Sequence, residues 1–503
     1  MSNGCIPRHR APTQPDNSLL IYTPGMPVTI PSLPVERPVS DSGSLIDLLA
    51  RQRAAFAARP YPPADERRAN LTALLEVVLS RRDALAEAID SDFGGRSKHE
   101  VMFSEIYVSV NNIRHARRHV KRWMARRRRP VGWPMQIARA FILPQPLGVA
   151  GIIAPWNYPV FLTIGPLAAA LAAGNRVMLK LSEHTPRTSA LLAKMLAETF
   201  SPDHVTAIQG DSSVGRSFAS LPFDHLLFTG STAVGREVMR AASENLTPVT
   251  LELGGKSPAI IAPDADLDRA AADIVYGKLL NAGQTCIAPD YVLVPAGALR
   301  PFVECVRKAI EKHYPDPASA EYTSIISDRQ YQRLMSYLDE ARNRGTEIVP
   351  FGTVPPAASR KISPALVLDP PDSLSLMREE IFGPILPVKP YSSIEQAIAY
   401  INEQPRPLAL YLFTKDTRLI DTILIRTTSG GVCVNDTLLH VAVEDLPFGG
   451  VGASGMGRYH ALEGFETFSQ LKPVFERGWF GLGRTLRPPY TRMHEWMERI
   501  LIR

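Results

Sequence analysis

The stretch GVAGIIAPWNYPVFLTIGPLAAALAAGNRVMLKL, residues 148–181, decides the fold. It opens on an apolar run, Gly148–Ala154, turns through Pro155 and Pro159, continues as an uncharged helical segment, and returns to an apolar run at Arg176–Leu181. Short apolar run, helix, short apolar run is the pattern of a βαβ unit whose strands are buried on both faces. The same alternation continues outward, with further strands expected at His204–Gln209, Asp224–Thr229, Ala259–Ala262, Tyr291–Val294, Ala409–Phe413 and Gly431–Val434. Ala140–Asn175 carries no charge and has the length of a membrane span, but Pro144, Pro146, Pro155, Pro159 and Pro166 interrupt it. A lipid-exposed helix would lose backbone hydrogen bonds at each of them. One buried strand, a turn and a buried helix are expected there. The fold class is α/β: one doubly wound unit ending near Leu253 and a second after it. Ligands are expected at the carboxyl ends of the strands, where the two units face each other.

Upstream, Ser44 to about Arg128 reads as helical, from spacings such as Leu45/Leu48/Leu49 and Leu71/Leu74/Leu75/Val78, with Ser80 as an N-cap. The 56 Lys and Arg against 50 Asp and Glu leave a mild +6 over 503 residues. Much of that excess is local, in Arg117, Arg118, Lys121, Arg122 and Arg126–Arg129. No aromatic residues interleave with the run, so it reads as the solvated face and end of a helix, with no nucleic-acid partner. Four cysteines (Cys5, Cys286, Cys305, Cys433) make neither a disulfide framework nor a metal motif, so no metal is expected. With no charged leader followed by an apolar run, a cytoplasmic location is expected. Residues 1–43 are a proline-rich tail. Arg492–Arg503 forms one amphipathic helix that packs on the protein or makes a weak peripheral membrane contact; no transmembrane segment is expected.

Three short segments carry chemistry. Asn281-Ala-Gly-Gln-Thr-Cys286 presents a thiol after small residues. Leu251-Glu-Leu-Gly-Gly-Lys256 places Glu252 near a strand end, where burial would raise its pKa towards that of a general base; a salt bridge to Lys256 is the plainer alternative. Pro155-Trp-Asn-Tyr-Pro159 fixes the Asn157 amide between two prolines, as an oxyanion donor requires. Gly450-Val-Gly-Ala-Ser-Gly455 fits the dinucleotide fingerprint letter for letter, but it follows Leu-Pro-Phe-Gly and lacks a surrounding βαβ unit. It is not read as a phosphate loop.

Together with Lys180-Leu-Ser-Glu183, Phe228-Thr-Gly-Ser-Thr232 and Glu379-Glu-Ile-Phe-Gly-Pro384, these segments resemble the aldehyde dehydrogenase superfamily from about residue 44 to about residue 480. The resemblance implies a Rossmann-type cofactor domain, a second α/β catalytic domain and a small β oligomerisation arm. Its boundaries would be the tail 1–43, a cofactor domain 44–253 interrupted by oligomerisation strands near 135–147, and a catalytic domain 254–435. Residues 436–480 would return to the cofactor domain with an oligomerisation strand, leaving 481–503 as a C-terminal tail. The resemblance also makes Cys286 the nucleophile, Glu252 the base and Asn157 the oxyanion donor, together with the Cys286 N–H. Cofactor contacts would come from Trp156, Lys180, Glu183, Gly210, Thr229, Gly230, Ser231, Gly235, Glu380 and Phe382. It places the 450–455 stretch outside the cofactor fold. A carboxylate at Glu183 accepts from a ribose 2′-hydroxyl and repels a 2′-phosphate, favouring NAD, while Lys180 leaves NADP usable.

Asn435-Asp-Thr, His440 and Pro447–His460 resemble the dimeric fatty and aromatic aldehyde branch, and Leu226–Thr232 and Asn281–Tyr291 are similar to coniferyl aldehyde dehydrogenases within it. Leu181, at a position often Pro, and Ala461, at one commonly Gly, depart from the pattern. The implied activity is NAD(P)-dependent oxidation of an aromatic or cinnamyl aldehyde to the acid, through a Cys286 hemithioacetal and thioester, in a homodimer. Long-chain fatty aldehyde oxidation, a cofactor-independent thiol hydrolase or acyltransferase using the same Cys and Glu, and a silent structural member of the fold are the alternatives.

Overall fold

The computed structural model describes residues 42–132, 138–478 and 487–502. The proline-rich tail therefore lies almost wholly outside the described residues, as does the start of the stretch near 135–147. Helices Ser42–Ala58, Ala64–Phe93 and Val108–Trp123 form the lead-in, the last reached through a π-helical turn, Met102–Tyr107. Their apolar stripes, including Leu71, Leu74, Val78 and Ile113, are fully buried. Ser80 is not an N-cap. It sits in the middle of Ala64–Phe93 with its hydroxyl donating to Val77 O, because the apolar spacing runs on unbroken through it.

Strands β1 (Arg127–Arg129) and β2 (Arg139–Pro146) follow the helices. The arginine run is thus a strand and not a helix end: β1 pairs antiparallel with β2, and Arg127 is held by Glu466. The local reading of the uncharged stretch expects one strand and it holds two: β2, where the resemblance implies oligomerisation strands, and then β3 (Val149–Ile153), before the helix Phe161–Ala173. Pro166 lies inside that helix rather than ending it; every residue of the helix is buried, so packing offsets the lost backbone bond.

Strands β4 (Arg176–Lys180), β5 (Val205–Ile208), β6 (His225–Gly230) and β7 (Val249–Leu253) join β3 in a parallel sheet of order 7-6-3-4-5. A second sheet takes β8 (Pro258–Ile261), β9 (Tyr291–Pro295), β10 (Glu347–Pro350), β11 (Ala365–Leu368), β12 (Ile385–Tyr391), β13 (Ala409–Phe413) and β14 (Gly431–Val434) in the order 10-11-12-9-8-13-14; only β10 is antiparallel. The chain then returns. β15 (Gly455–Met456) closes the first sheet antiparallel to β7, and β16 (Ser469–Glu476) pairs with β2. The fingerprint-like glycines therefore belong to the edge of the first sheet and not outside it. They are there for contact: a Cβ on Gly455 would stand 2.0 Å from Leu251 O, and one on Gly450 1.9 Å from Ser454 O.

The helix Phe161–Ala173 ends at Gly174, in the left-handed region at φ 90°, and the buried Arg67 stands over that end. Its guanidinium donates to Ala172 O at 3.0 Å, to Ala173 O at 2.5 Å and to Pro62 O at 3.0 Å. Ala172 O and Ala173 O are helix-end carbonyls with no partner in their own helix. Arg67→Met is expected to leave them buried and unpaired, costing about 3 kcal/mol. Calorimetry should read this as a melting temperature several degrees lower, and an unchanged melting temperature would remove Arg67 from this role.

Candidate active site

In the first sheet the chain winds from β3 out to β5 and then crosses back to β6, so the loops after β3 and β6 diverge at their carboxyl ends and leave a crevice. Pro155–Pro159 leaves β3 on one side of it. On the other, Ser231 caps the helix Thr232–Ser243, its hydroxyl accepting from Val234 N–H at 3.4 Å. A cavity of about 1140 Å³ runs through this crevice. Its lining includes Trp156, Asn157, Lys180, Glu183, Thr229, Gly230, Ser231, Glu252, Cys286, Glu380 and Phe382. Gly235 and Gly210 do not line it. A Cβ on Gly235 would meet Leu253 at 2.6 Å, so this glycine lets the helix lie on β7; Gly210, at φ 149°, abuts Val214 in the next helix. Each residue acts by packing, a step back from the crevice.

The cavity suits an elongated ligand with a ribose, a diphosphate and a flat ring. At one end Lys180 Nζ donates to Glu183 Oε2 at 3.3 Å and to Leu181 O at 2.7 Å, setting a carboxylate at the rim. In the middle, the amides of the first turn of Thr232–Ser243 have no helical acceptors, and the dipole favours an anion there. At the far end Trp156 and Phe382 meet edge to face, ring centroids 5.4 Å apart. Two buried polar atoms there lack any partner among the described residues, Thr229 Oγ1 and Glu380 Oε1. Unmet buried oxygens facing a cavity are the kind a hydroxylated ligand satisfies. A dinucleotide fits these residues.

Glu252 occupies β7 between Thr229 of β6 and Gly455 of β15. Its side chain is buried and neither carboxyl oxygen has a hydrogen-bond partner. Burial alone pushes its pKa well above the ordinary carboxyl range. The salt bridge to Lys256 does not form. Lys256 pairs instead with buried Asp290 and donates to Leu376 O and Glu379 O at 2.8 and 3.0 Å. Asp290 in turn accepts from Ile381 N–H at 3.0 Å, and Arg333 donates to Glu380 O and Ile381 O, so this ion cluster shapes the 379–382 loop that carries Glu380 and Phe382.

Cys286 follows a strained turn. Asn281 and Ala282 hold φ of 53° and 50°, a region that costs a non-glycine residue about 1 kcal/mol or more. A Cβ on Gly283 would stand 2.3 Å from Gly383 O, so this turn is pressed against the 379–384 segment. Burial, then the Glu380 and Glu252 carboxyls, push the Cys286 thiol up to about 12, while its own N–H and that of Ile287 act in the other direction. Asn157 Nδ2 donates to Gln284 O at 3.2 Å, tying the oxyanion candidate to the loop that carries Cys286. A second cavity of about 770 Å³ opens on the other side of this loop, lined by Phe103, Tyr107, Tyr158, Phe161, Tyr276, Tyr314, Phe448 and Tyr459 among others. Among the described residues, Cys286 is the single one common to the linings of the two cavities.

Several residues at the site escape a sequence reading. Arg329, Gln330 and Arg333 reach the first cavity from a helix (Asp328–Asn343) distant in sequence, and the aromatic walls of the second come from six separate segments. Of the supporting charges, Lys256 falls within a motif read for its glutamate, and nothing local marks Asp290 as its partner.

Comparison with known proteins agrees with this geometry. The aldehyde dehydrogenase family pattern matches residues 40–474. A probable coniferyl aldehyde dehydrogenase of Pseudomonas aeruginosa is 52% identical over 444 residues, covering 88% of this chain and 93% of that protein. The substrate-bound state of Staphylococcus aureus AldH superposes with a TM-score of 0.87 at 36% identity, covering 91% of this chain and 99% of that one. A Mycobacterium tuberculosis aldehyde dehydrogenase complexed with NAD+ gives 0.78 at 30% identity, covering 90% and 91%. With a thiol at the meeting point of a dinucleotide-shaped crevice and an aromatic cavity, the chain belongs to the aldehyde dehydrogenase family, enzymes that oxidise aldehydes with NAD(P).

Proposed function

We propose that the aldehyde is an aromatic or cinnamyl one, of the coniferyl type, and that Cys286, Glu252 and Asn157 carry its oxidation to the acid. The observation that supports this most directly is the position of Cys286 between the two cavities, with the unpaired carboxyl of Glu252 lining the crevice beside it. The aldehyde enters the aromatic cavity, whose tyrosines and phenylalanines offer edges and faces to a flat ring. Cys286 Sγ adds to its carbonyl carbon, and the thiol proton leaves for solvent or Glu252. The oxygen that gains the charge is stabilised by the second N–H of the Asn157 amide and by the Cys286 N–H, each such donor contributing about 3 kcal/mol. NAD(P), when bound in the crevice, supplies the hydride acceptor. The acyl group left on Cys286 is a thioester; Glu252 removes a proton from a water that attacks it, releasing the acid and the thiol.

NAD is the favoured dinucleotide, since Glu183 at the rim repels a 2′-phosphate, with Lys180 beside it leaving NADP usable. The described cysteines are free thiols, which supports a reducing, cytoplasmic setting. No helix among the described residues is long and apolar enough to cross a membrane. The outer edge of β16, unpaired among the described residues and with Phe475 exposed on it, supports a homodimer. On the same reading, residues 44–253 with 436–480 form the cofactor domain and 254–435 the catalytic domain.

Three outcomes are expected. A panel of cinnamyl, benzylic and aliphatic aldehydes should give kcat/KM at least about tenfold higher for the cinnamyl members than for hexanal, a gap within reach of apolar pocket discrimination. A preference for the aliphatic chain would overturn the substrate assignment. Glu252→Gln should retain a stoichiometric burst of NADH and then turn over about 100-fold more slowly, stalled at the thioester; a normal steady state would remove Glu252 from the base role. Because both the Cys286 thiol and the Glu252 carboxyl are shifted upward, their deprotonated forms grow as pH rises. Activity should therefore climb from pH 7 to pH 9, and a fall across that interval would contradict the assignment.

A further inference from the structure

One buried cation stands behind both the oxyanion donor and the nucleophile loop. Arg96 lies between the helices Ala64–Phe93 and Lys98–Val101, and none of its side chain is exposed. Its guanidinium is sandwiched by Tyr158, 4.8 Å from the ring centroid, and Phe93, at 5.0 Å. Nη1 donates to Asn157 O at 3.0 Å and to Glu105 Oε1 at 2.9 Å, while Nε donates to Glu100 Oε1 at 2.8 Å. Each carboxylate passes the constraint on. The second oxygen of Glu105 accepts from Val160 N–H and Phe161 N–H at 2.7 and 3.2 Å, pinning the start of the helix that follows Asn157. The second oxygen of Glu100 accepts from Asn281 N–H at 3.0 Å, at the strained residue that opens the turn into Cys286. Asn281 Nδ2 closes the circuit by donating to the same Asn157 O at 3.0 Å.

We propose that Arg96 is a positioning residue for the aldehyde oxidation: through Asn157 O, Glu105 and Glu100 it fixes the oxyanion donor and the nucleophile turn relative to each other. The fork geometry matters. Three acceptors in different directions are met by one planar guanidinium held between two rings, which a single ammonium on a flexible stem does not reproduce. Arg96 touches neither cavity, so it acts only through the groups it holds. Displacing a reacting group by about 1 Å costs on the order of 100-fold in rate, which leaves ample signal for a residue working at one remove.

The inference rests on the oxyanion role proposed for Asn157, and a double-mutant cycle separates the two. Arg96→Lys keeps the buried charge and with it the fold. It is expected to lower kcat at least tenfold with the NAD dissociation constant unchanged within about twofold by calorimetry. Asn157→Ala is expected to lower kcat about 100-fold or more. If Arg96 acts through Asn157, the double variant matches Asn157→Ala alone within about twofold. Losses that multiply, or wild-type kcat in Arg96→Lys, overturn the positioning role and leave the oxyanion assignment standing. An Asn157→Ala enzyme with full kcat overturns the oxyanion assignment, and this inference with it. Should Arg96→Lys fail to fold, Glu105→Gln keeps an acceptor for Val160 N–H and removes the charge that anchors Arg96; the same tenfold loss and the same non-additivity with Asn157→Ala are expected, and their absence overturns the proposal.

Discussion

Burying a carboxyl group without a partner is the constraint around which this molecule is arranged. Water is the best solvent for such a group, and nothing in the site replaces it: neither oxygen of Glu252 is hydrogen-bonded. The side chain is kept there by its backbone. Residue 252 is held on one side by Thr229 of β6 and on the other by Gly455 of β15, so the ladder on both edges of β7 offsets the cost of desolvation. Removing the cation nearest in sequence from play is part of the same arrangement. Lys256, four residues on, is committed to Asp290 and two carbonyls. An ion pair to Glu252 would have brought its pKa back down and left an ordinary carboxylate.

The parallel strands were legible because burial on both faces writes them as apolar runs. Each of the eight expected runs contains or overlaps an observed strand. Most strands that were not read bury less or carry prolines, though β11, fully buried and free of proline, was missed as well. β12 holds Pro387 and Pro390, β10 is an antiparallel edge with exposed ends, and β1 is three arginines whose pairing with β2 no local pattern announces. Ser80 failed as a cap for the converse reason: capping residues also occur mid-helix, where the hydroxyl returns to a carbonyl of the preceding turn.

At the site, motif residues could be read and their supports could not. Cys286, Glu252 and Asn157 stand in short segments whose composition is unusual on its own terms. Arg96, Glu100 and Glu105 look like any charged helical surface; only their contacts with Asn157, Asn281 and Val160, each 55 or more positions away, turn them into a buried cluster. Asp290 was similarly unremarkable until Lys256 and Ile381 were seen around it. The fingerprint-like glycines mislead in the opposite sense. They are selected for close backbone approach, a demand shared by phosphate loops and by a strand pressed edge-on against β7.

That edge strand has a consequence for how the protein is made. Chains emerge from the ribosome amino end first, and domains tend to fold as they appear. The six-stranded sheet has five of its strands by residue 253, yet β7 stays an open edge until residues 455 and 456 arrive. The thiol at 286 is thus synthesised long before the carboxyl at 252 is sealed from solvent. A nascent or prematurely terminated polypeptide holds a thiol and an acid, but not the buried environment that sets their proton affinities. The enzyme acquires its chemistry only after residues 455 and 456 have been made.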